Sequence, residues 1–374
     1  MLQLRISSAL LIGMGVALLA ACSGGGGGST PANTGAAPIE NRLTSSSASV
    51  LQTLVSEQTI GSTSPSTPAD VNPYGLDVAK VTSGKIAAGD LVVCDFNDPG
   101  NVQGTGTEII ALRPIVGSSP TLIVKSHTLQ GCNAIATAPT GPIWAAAFKA
   151  NDNPIVTSGG TVVTALNNGP WHHPFGEAFA PPISAQSAPA FYVSNAGDGS
   201  LVRVSIHPGS TFTFTVIATG FPINGGKPGS ILGPSGLNYQ SSGDRLYVVD
   251  GTNNALYAID DVSSVTTNGI VVNGMSFTGS FASSAHVVFS GAPLNGPISS
   301  AILPGGNIAL GNTLDPDGQN LIVEVSPTGQ LLDVKNVDTG AAGAIFGMVA
   351  TGTTGSPKLY FNDDNDNTVK VLTP

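Results

Sequence analysis

The chain is 374 residues long and acidic, with 13 Lys and Arg against 23 Asp and Glu and a formal net charge of −10. That balance argues against nucleic acid and anionic lipid headgroups as partners of the folded part, since both are polyanions. Only 10% of residues are charged, whereas 48 are glycine and 27 proline, which suits short strands and tight turns in a secreted all-β domain.

Arg5 supplies one positive charge, and the apolar stretch 9–21 that follows is too short to span a membrane as a mature helix. It ends in Leu19, Ala20, Ala21 and Cys22, a segment that resembles the lipobox of bacterial lipoproteins. The resemblance implies cleavage before Cys22, palmitate-type acylation of that cysteine and, because Ser23 rather than Asp follows, an outer-membrane address in the cell envelope. A signal peptide carrying an accidental cysteine is the alternative. Loss of residues 1–21 removes Arg5, their one charged residue, and takes the net charge from −10 to −11.

Gly24 to Gly28, then Ser29, Thr30 and Pro31, form a low-complexity stretch that buries little surface. About 20 such residues would act as a tether holding the fold roughly 25 Å from the bilayer. The expected organisation is therefore a signal peptide at 1–21, lipidated Cys22 and tether over 22–41, and one domain over 42–374.

From residue 71 one phrase recurs six times: a Gly-led apolar strand, a second strand ending in Asn or Asp, a polar turn and a third strand. The second strands and turns begin at 91, 143, 191, 246, 307 and 359, so the spacings are 52, 48, 55, 61 and 52 residues. This period is close to one four-stranded blade, which predicts an all-β, six-bladed β-propeller. The inner strands align on glycine as PYGLDVA (73–79), LQGCNAIA (129–136), PFGEAFA (174–180), PSGLNYQ (234–240), NGPISSAIL (295–303) and IFGMVA (345–350). The first, third and fourth, with turns such as GTNNALYAID (251–260), resemble NHL-type repeats, which implies a six-bladed ring and leaves function open. Blades two, five and six depart from that pattern in proline placement and spacing.

Because the repeat opens on an inner strand and ends on a third strand at 369–372, the ring lacks one outer strand. Residues 42–60 are the material left to supply it. Val50, Leu51, Leu54 and Val55 also fit one face of a short helix, and the strand reading is favoured slightly.

With Cys22 assigned to lipid, Cys94 and Cys132 form an even pair in an oxidising compartment, at strand ends that share one face of neighbouring blades. A bridge and two unpaired buried thiols both remain open. The catalytic motifs sought, among them His-Glu-x-x-His, Cys-x-x-Cys, Gly-x-Ser-x-Gly and a phosphate loop, are missing. Asp363, Asn365 and Asn367 resemble the start of a calcium loop, but Thr368 replaces its glycine, and a solvated acidic turn is the favoured reading.

Two features stand above this background. Trp171, His172 and His173 precede the inner strand of blade three, although neighbouring extended positions point apart and cannot readily ligate one metal. Glu177 follows Gly176 where the aligned strands carry Leu76, Cys132, Leu237 and Met348, so it is expected to be either paired or beside a cavity. Asp77, Asn133 and Asn238 take the next aligned position. With Glu177 they resemble the Glu, Asn and Asp set of six-bladed sugar lactonases, which implies an axial divalent cation such as Ca²⁺ able to polarise a carbonyl; that Asn and Asp at strand starts satisfy turn amides is the alternative, and the favoured one.

The favoured function is a non-catalytic binding or scaffolding module tethered to the envelope, with an envelope protein or small ligand as partner, no nucleic acid, and a monomeric state. A metal-dependent hydrolase or lyase is the alternative. Any ligand site is expected on the face carrying the turns after the second strands, near Glu177 and oxygens such as Asp95, Asn97, Asn195, Asp198, Asp250, Asn253, Asn312, Asn362 and Asp363.

Overall fold

The computed structural model describes residues 48–65, 68–185, 187–225, 232–314 and 319–374. The signal peptide, Cys22 and the tether lie outside these described residues. The described chain is a six-bladed β-propeller, as the repeat predicts. Its inner strands are Val71–Val78, Cys132–Thr137, Pro174–Ala180, Pro234–Gln240, Pro297–Ile302 and Ile345–Thr353.

The four blade strands are consecutive in blades 1, 2, 3 and 5, an insertion interrupts those of blade 4, and blade 6 borrows its outer one. Ser56–Ser62 pairs antiparallel with Thr368–Thr373, from Ser56 opposite Thr373 to Ser62 opposite Thr368. The closing strand thus begins near the end of 42–60 and runs past it, while a 3-10 turn at Leu51–Thr53 precedes it. Fully buried Leu51 and Leu54 join the apolar cluster between blades 5 and 6. The turn is pinned by Glu324, whose carboxylate accepts Leu51 N–H at 2.7 Å, Val50 N–H at 2.9 Å and Asn307 Nδ2–H at 2.7 Å. Blade 3 carries two extra strands, Ile270–Asn273 and Ser276–Thr278, from an insertion in blade 4 that covers its outer edge.

Strand alternation sorts side chains into the seams between blades. Along the second strand of blade 1, Val92 and Cys94 join the cluster shared with blade 2, and Leu91 and Val93 the one shared with blade 6. Each seam holds one such apolar cluster among the described residues. Cys94 and Cys132 are joined by a disulfide across the seam between blades 1 and 2, with Cα atoms 5.9 Å apart.

Around the axis the inner strands approach too closely for side chains on their facing edges. A Cβ on Gly176 would lie 1.9 Å from Ser235 O, and one on Gly347 would lie 2.4 Å from Tyr74 O. This contact explains the glycine that opens the repeat.

Blade 2 corrects the alignment. Ala134 pairs with Ala146 as Gly75 pairs with Cys94, so Ala134, not Gly131, holds the close-approach position. Gly131 instead precedes the strand at φ +74°, in the left-handed region that His173 and Gly296 also occupy before their strands and Asn72 at the second residue of its own. Aligning on Gly131 shifts blade 2 by three residues, moving Cys132 out of the layer of Glu177 and Asn133 out of the layer of Asp77.

Gly176→Ala should therefore lower stability by about 1–3 kcal/mol, since backbone must move to admit the methyl. Gly355→Ala, with nothing within 4 Å of its Cβ, is the control; equal denaturant midpoints for the two would refute the close-approach account. Replacing Cys94 and Cys132 together by Ala should cost roughly 4 kcal/mol, the effect of opening a loop of this length. Thermal melts under non-reducing conditions measure it.

Candidate functional site

The inner strands line the axis in successive layers. Tyr74, Asn133, Phe175, Ser235, Ile298 and Phe346 form the layer nearest the strand starts, and Leu76, Ile135, Glu177, Leu237, Ser300 and Met348 the layer two residues further on. Half of the first layer is aromatic: Tyr74 stacks on Phe346 at 3.7 Å and on Phe96 at 4.3 Å, and Phe148 and Phe175 join the cluster. These rings close the end of the axis from which the turns after the second strands emerge.

Beneath them lies a cavity of about 70 Å³ lined by Asn133, Glu177, Ser299 and Ser300 among apolar neighbours. At liquid density this is room for about two waters, or one cation with a water. A wider vestibule of about 290 Å³ continues toward the far ends of the inner strands, bordered by Asp77, Lys80, Thr137, Asn238 and Tyr239 as well as Glu177. The roomier approach to Glu177 is thus from the end opposite the turns, which corrects the expected face.

Glu177 occupies a slot that is apolar in blades 1, 2, 4 and 6. It faces the seam between blades 2 and 3, where Ala146 of blade 2, two residues on from Trp144, stands in place of a larger side chain. The carboxylate is 6% exposed. Oε1 accepts a hydrogen bond from Asn153 Nδ2, and Oε2 has no partner in the protein. Burial pushes its pKa well above the ordinary glutamate value, with the Asn153 bond opposing in part. Asn133 Oδ1 and Ser299 Oγ, both buried, are likewise unpartnered on the same cavity.

The other predicted residues do different work. Asp77 Oδ2 accepts both Thr137 N–H and Oγ–H at 2.7 Å, and Oδ1 accepts Val78 N–H at 2.7 Å and pairs with Lys80 at 3.1 Å. Asn238 Nδ2 donates to Ser300 O at 2.9 Å and Ser300 Oγ at 2.7 Å. These two side chains stitch neighbouring inner strands together. Glu177, Asn133 and the Asp77–Asn238 pair therefore stand at three different levels: Asn133 borders the cavity with Glu177, and Asp77 and Asn238 border the vestibule with it.

His172 and His173 are exposed and diverge. His172 Nε2 lies 3.6 Å from Asp198, while His173 stacks on Phe148 at 4.5 Å with Nδ1 3.1 Å from Phe148 O. Trp171 is buried and donates from Nε1 to Leu166 O at 2.6 Å. Most oxygens of the turn face cap their own turns or adjoining loops: Asn97 accepts Gly104 N–H, Asn195 accepts His172 N–H, Asp250 accepts Thr252 and Asn253 N–H, and Asp363 accepts Asn365 N–H. Among the described residues, no group of three or more His, Cys, Asp or Glu is arranged to hold a metal. Asn153 and Ser299 are the site residues that sequence reading missed. The alanine run before Asn153 is the local signal that a polar group could reach Glu177.

No known protein family and no curated protein matches the chain. Solved structures do. A virginiamycin B lyase from Staphylococcus aureus, crystallised with quinupristin, is 14% identical at a TM-score of 0.50, covering 85% of this chain and 99% of that one. An auxiliary nutrient binding protein from Bacteroides thetaiotaomicron is 13% identical at 0.52, covering 84% and 75%. A structural genomics protein of unknown function from the same organism is 10% identical at 0.53, covering 85% and 75%. The similarity is one of fold, and it defines this chain as a propeller without assigning its chemistry.

The buried acid makes a signed prediction. An unfolded glutamate releases its proton near pH 4.5, whereas folded Glu177 keeps it to higher pH, so wild-type stability falls as pH rises through that interval. Glu177→Gln has no proton to hold. Its stability relative to wild type should therefore grow as pH rises above 4.5. A melting-temperature difference independent of pH would show that Glu177 ionises freely.

Proposed function

We propose that this chain is an envelope-tethered propeller acting as a non-catalytic binding or scaffolding module. The observation that carries the reading is the use made of the axial polar groups. Asp77 and Asn238 are committed to stitching strands, and the cavity under the rings beside Glu177 holds about 70 Å³, so an organic group could reach Glu177 only through the vestibule of about 290 Å³. What the ring offers is a rigid frame presenting loops at both ends. The fold shared with a nutrient binding protein is compatible with that use.

The tether enters through the lipobox-like Leu19–Cys22 and the glycine run after it. Two or three acyl chains would anchor the protein stably, whereas one would be marginal. Cys22→Ser should move the protein from the membrane to the soluble fraction, with the melting temperature of the propeller unchanged. Retention of this variant in membranes after a high-salt wash would sink the lipoprotein reading.

A second reading, a metal-dependent hydrolase or lyase of the lactonase kind, is favoured by one observation. Glu177 Oε2, Asn133 Oδ1 and Ser299 Oγ are unpartnered acceptors around one cavity, a donor set suited to a hard cation. Such an ion would act as a Lewis acid on a carbonyl reaching it from the vestibule. The fold shared with a lyase is equally compatible. Divalent metal retained stoichiometrically by the wild type and lost in Glu177→Gln would favour this reading over the scaffold.

A further inference from the structure

The seam that closes the ring holds a second set of buried, unpartnered oxygens, away from the axis. Asp95 is completely buried and neither carboxylate oxygen has a hydrogen-bond partner; Asn362 Oδ1 and Asn72 Oδ1, at 0% and 3% exposure, are also unpartnered. Strand alternation aims Asp95 and Asn362 into the one seam between blades 1 and 6. Val93 faces the seam with blade 6, and so does Asp95 two residues on. Tyr360 faces the same seam from blade 6, and so does Asn362, while Asp364 follows in the turn and acts on Asp95 as a nearby charge. Asn362 Nδ2 reaches across to Tyr74 O and Gly75 O of blade 1, both at 3.2 Å, and Asn72 donates its N–H to Asn367 Oδ1 of blade 6 at 2.7 Å.

The repeat explains why Asp95 is left bare. Its register matches Asn195, Asp250, Asn312 and Asp363, each of which ends a second strand and caps a turn or loop. Blade 1 extends that strand by two residues, and Asn97 caps the turn instead. No turn amide then remains for Asp95. The Thr63 hydroxyl, the one donor that acts on it, is shared with Asn367 O at 3.2 Å.

The local charge is one-sided. Asp70, Glu108 and Asp364 all act on Asp95 as like charges, and the nearby ammonium, Lys125, is held by Asp70 at 3.2 Å and Glu108 at 2.5 Å. A bare carboxylate buried among like charges costs several kcal/mol unless a cation or a proton neutralises it. Both amide oxygens beside it are acceptors, which a proton on Asp95 could satisfy only one at a time.

We propose that Asp95, Asn362, Asn72 and Asp364 form a hard-cation site, filled by Ca²⁺, that clasps blade 6 to blade 1. Carboxylate and amide oxygens without nitrogen or sulfur are the donors calcium prefers, and its tolerance of irregular geometry suits ligands from three separate strands and turns. The ion offsets the charge of Asp95 and reinforces the joint at which the two ends of the domain meet. This site is independent of the function proposed above and of Glu177.

The test uses the full chain purified without chelator, with calcium alone as the probe. One calcium per chain by elemental analysis is expected, and chelation should lower the melting temperature by about 4 °C, as expected of a ligand present at a hundred times its Kd. Asp95→Asn should weaken calcium binding roughly 100-fold or more and abolish that shift, while melting in chelator no lower than wild type because the bare charge is gone. Glu177→Gln should keep the full calcium response. No bound ion and no calcium shift in wild type would overturn the proposal, as would an undiminished shift in Asp95→Asn. A response lost in Glu177→Gln but kept in Asp95→Asn would transfer the ion to the axis. Should Asp95→Asn fail to fold, Asp364→Asn must weaken the calcium response, and an undiminished response there overturns the site.

Discussion

The ring depends on main-chain hydrogen bonds that join its two ends. Ser56–Ser62 lies on Thr368–Thr373, so residues more than 300 apart in sequence complete one four-stranded sheet. Without that strand blade 6 would expose a row of unpaired amides, and the apolar cluster of Ile60 with Leu76, Val93 and Tyr360 would lose a wall. The bonds from Ser49, Val50 and Leu51 to Glu324 extend the same joint into the seam between blades 5 and 6. A buried carboxylate taking main-chain and side-chain donors in this way is held in place, and Glu324 thereby fixes the turn that leads into the closing strand.

A second constraint follows from closure. Six inner strands around one axis meet edge to edge, and the facing positions must be glycine or very small. Polar side chains beside that contact then have short spans to bridge, which is why Asp77 reaches Thr137 and Asn238 reaches Ser300. Their chemistry is that of a stitch. Glu177 differs because blade 2 presents the small Ala146 to its seam, leaving Asn153 as its one partner. Chemistry-bearing residues in a propeller therefore need to be judged by layer and seam, and residue type alone misassigns them.

The fold was legible because its cause repeats: close approach demands glycine, and the turn after the second strand demands Asn or Asp, so both recur at blade length. The borrowed strand was legible in part, since a missing strand and spare N-terminal residues can be counted, although 42–60 begins too early and includes the 3-10 turn. Blade 2 misled because Gly131 and Gly75 serve different physical needs. Gly131 supplies a left-handed φ, whereas Gly75 clears space beside Ala134 and Ile135. A sequence shows the residue and hides the reason, and three residues of register were lost there, carrying Asn133 to the wrong layer. Asn153 and Ser299 had no motif to mark them because their role arises only where two blades meet.

Several acids are held out of their ordinary range by the same architecture. Glu177 and Asp95 are pushed well up by burial, and Asp250 and Asp364 are each raised to about 6. For each, the folded state retains a proton that the unfolded chain would release, so stability is greatest on the acid side and declines as pH climbs through the folded pKa. Carboxylates paired in the native state behave in the opposite sense and protect against alkali better than acid. A ring closed over buried acids thus tolerates mild acidity and needs either protons or a counter-cation at neutral pH. The seam at Asp95 makes that requirement sharpest, because there the uncompensated charge lies on the joint that keeps the propeller closed.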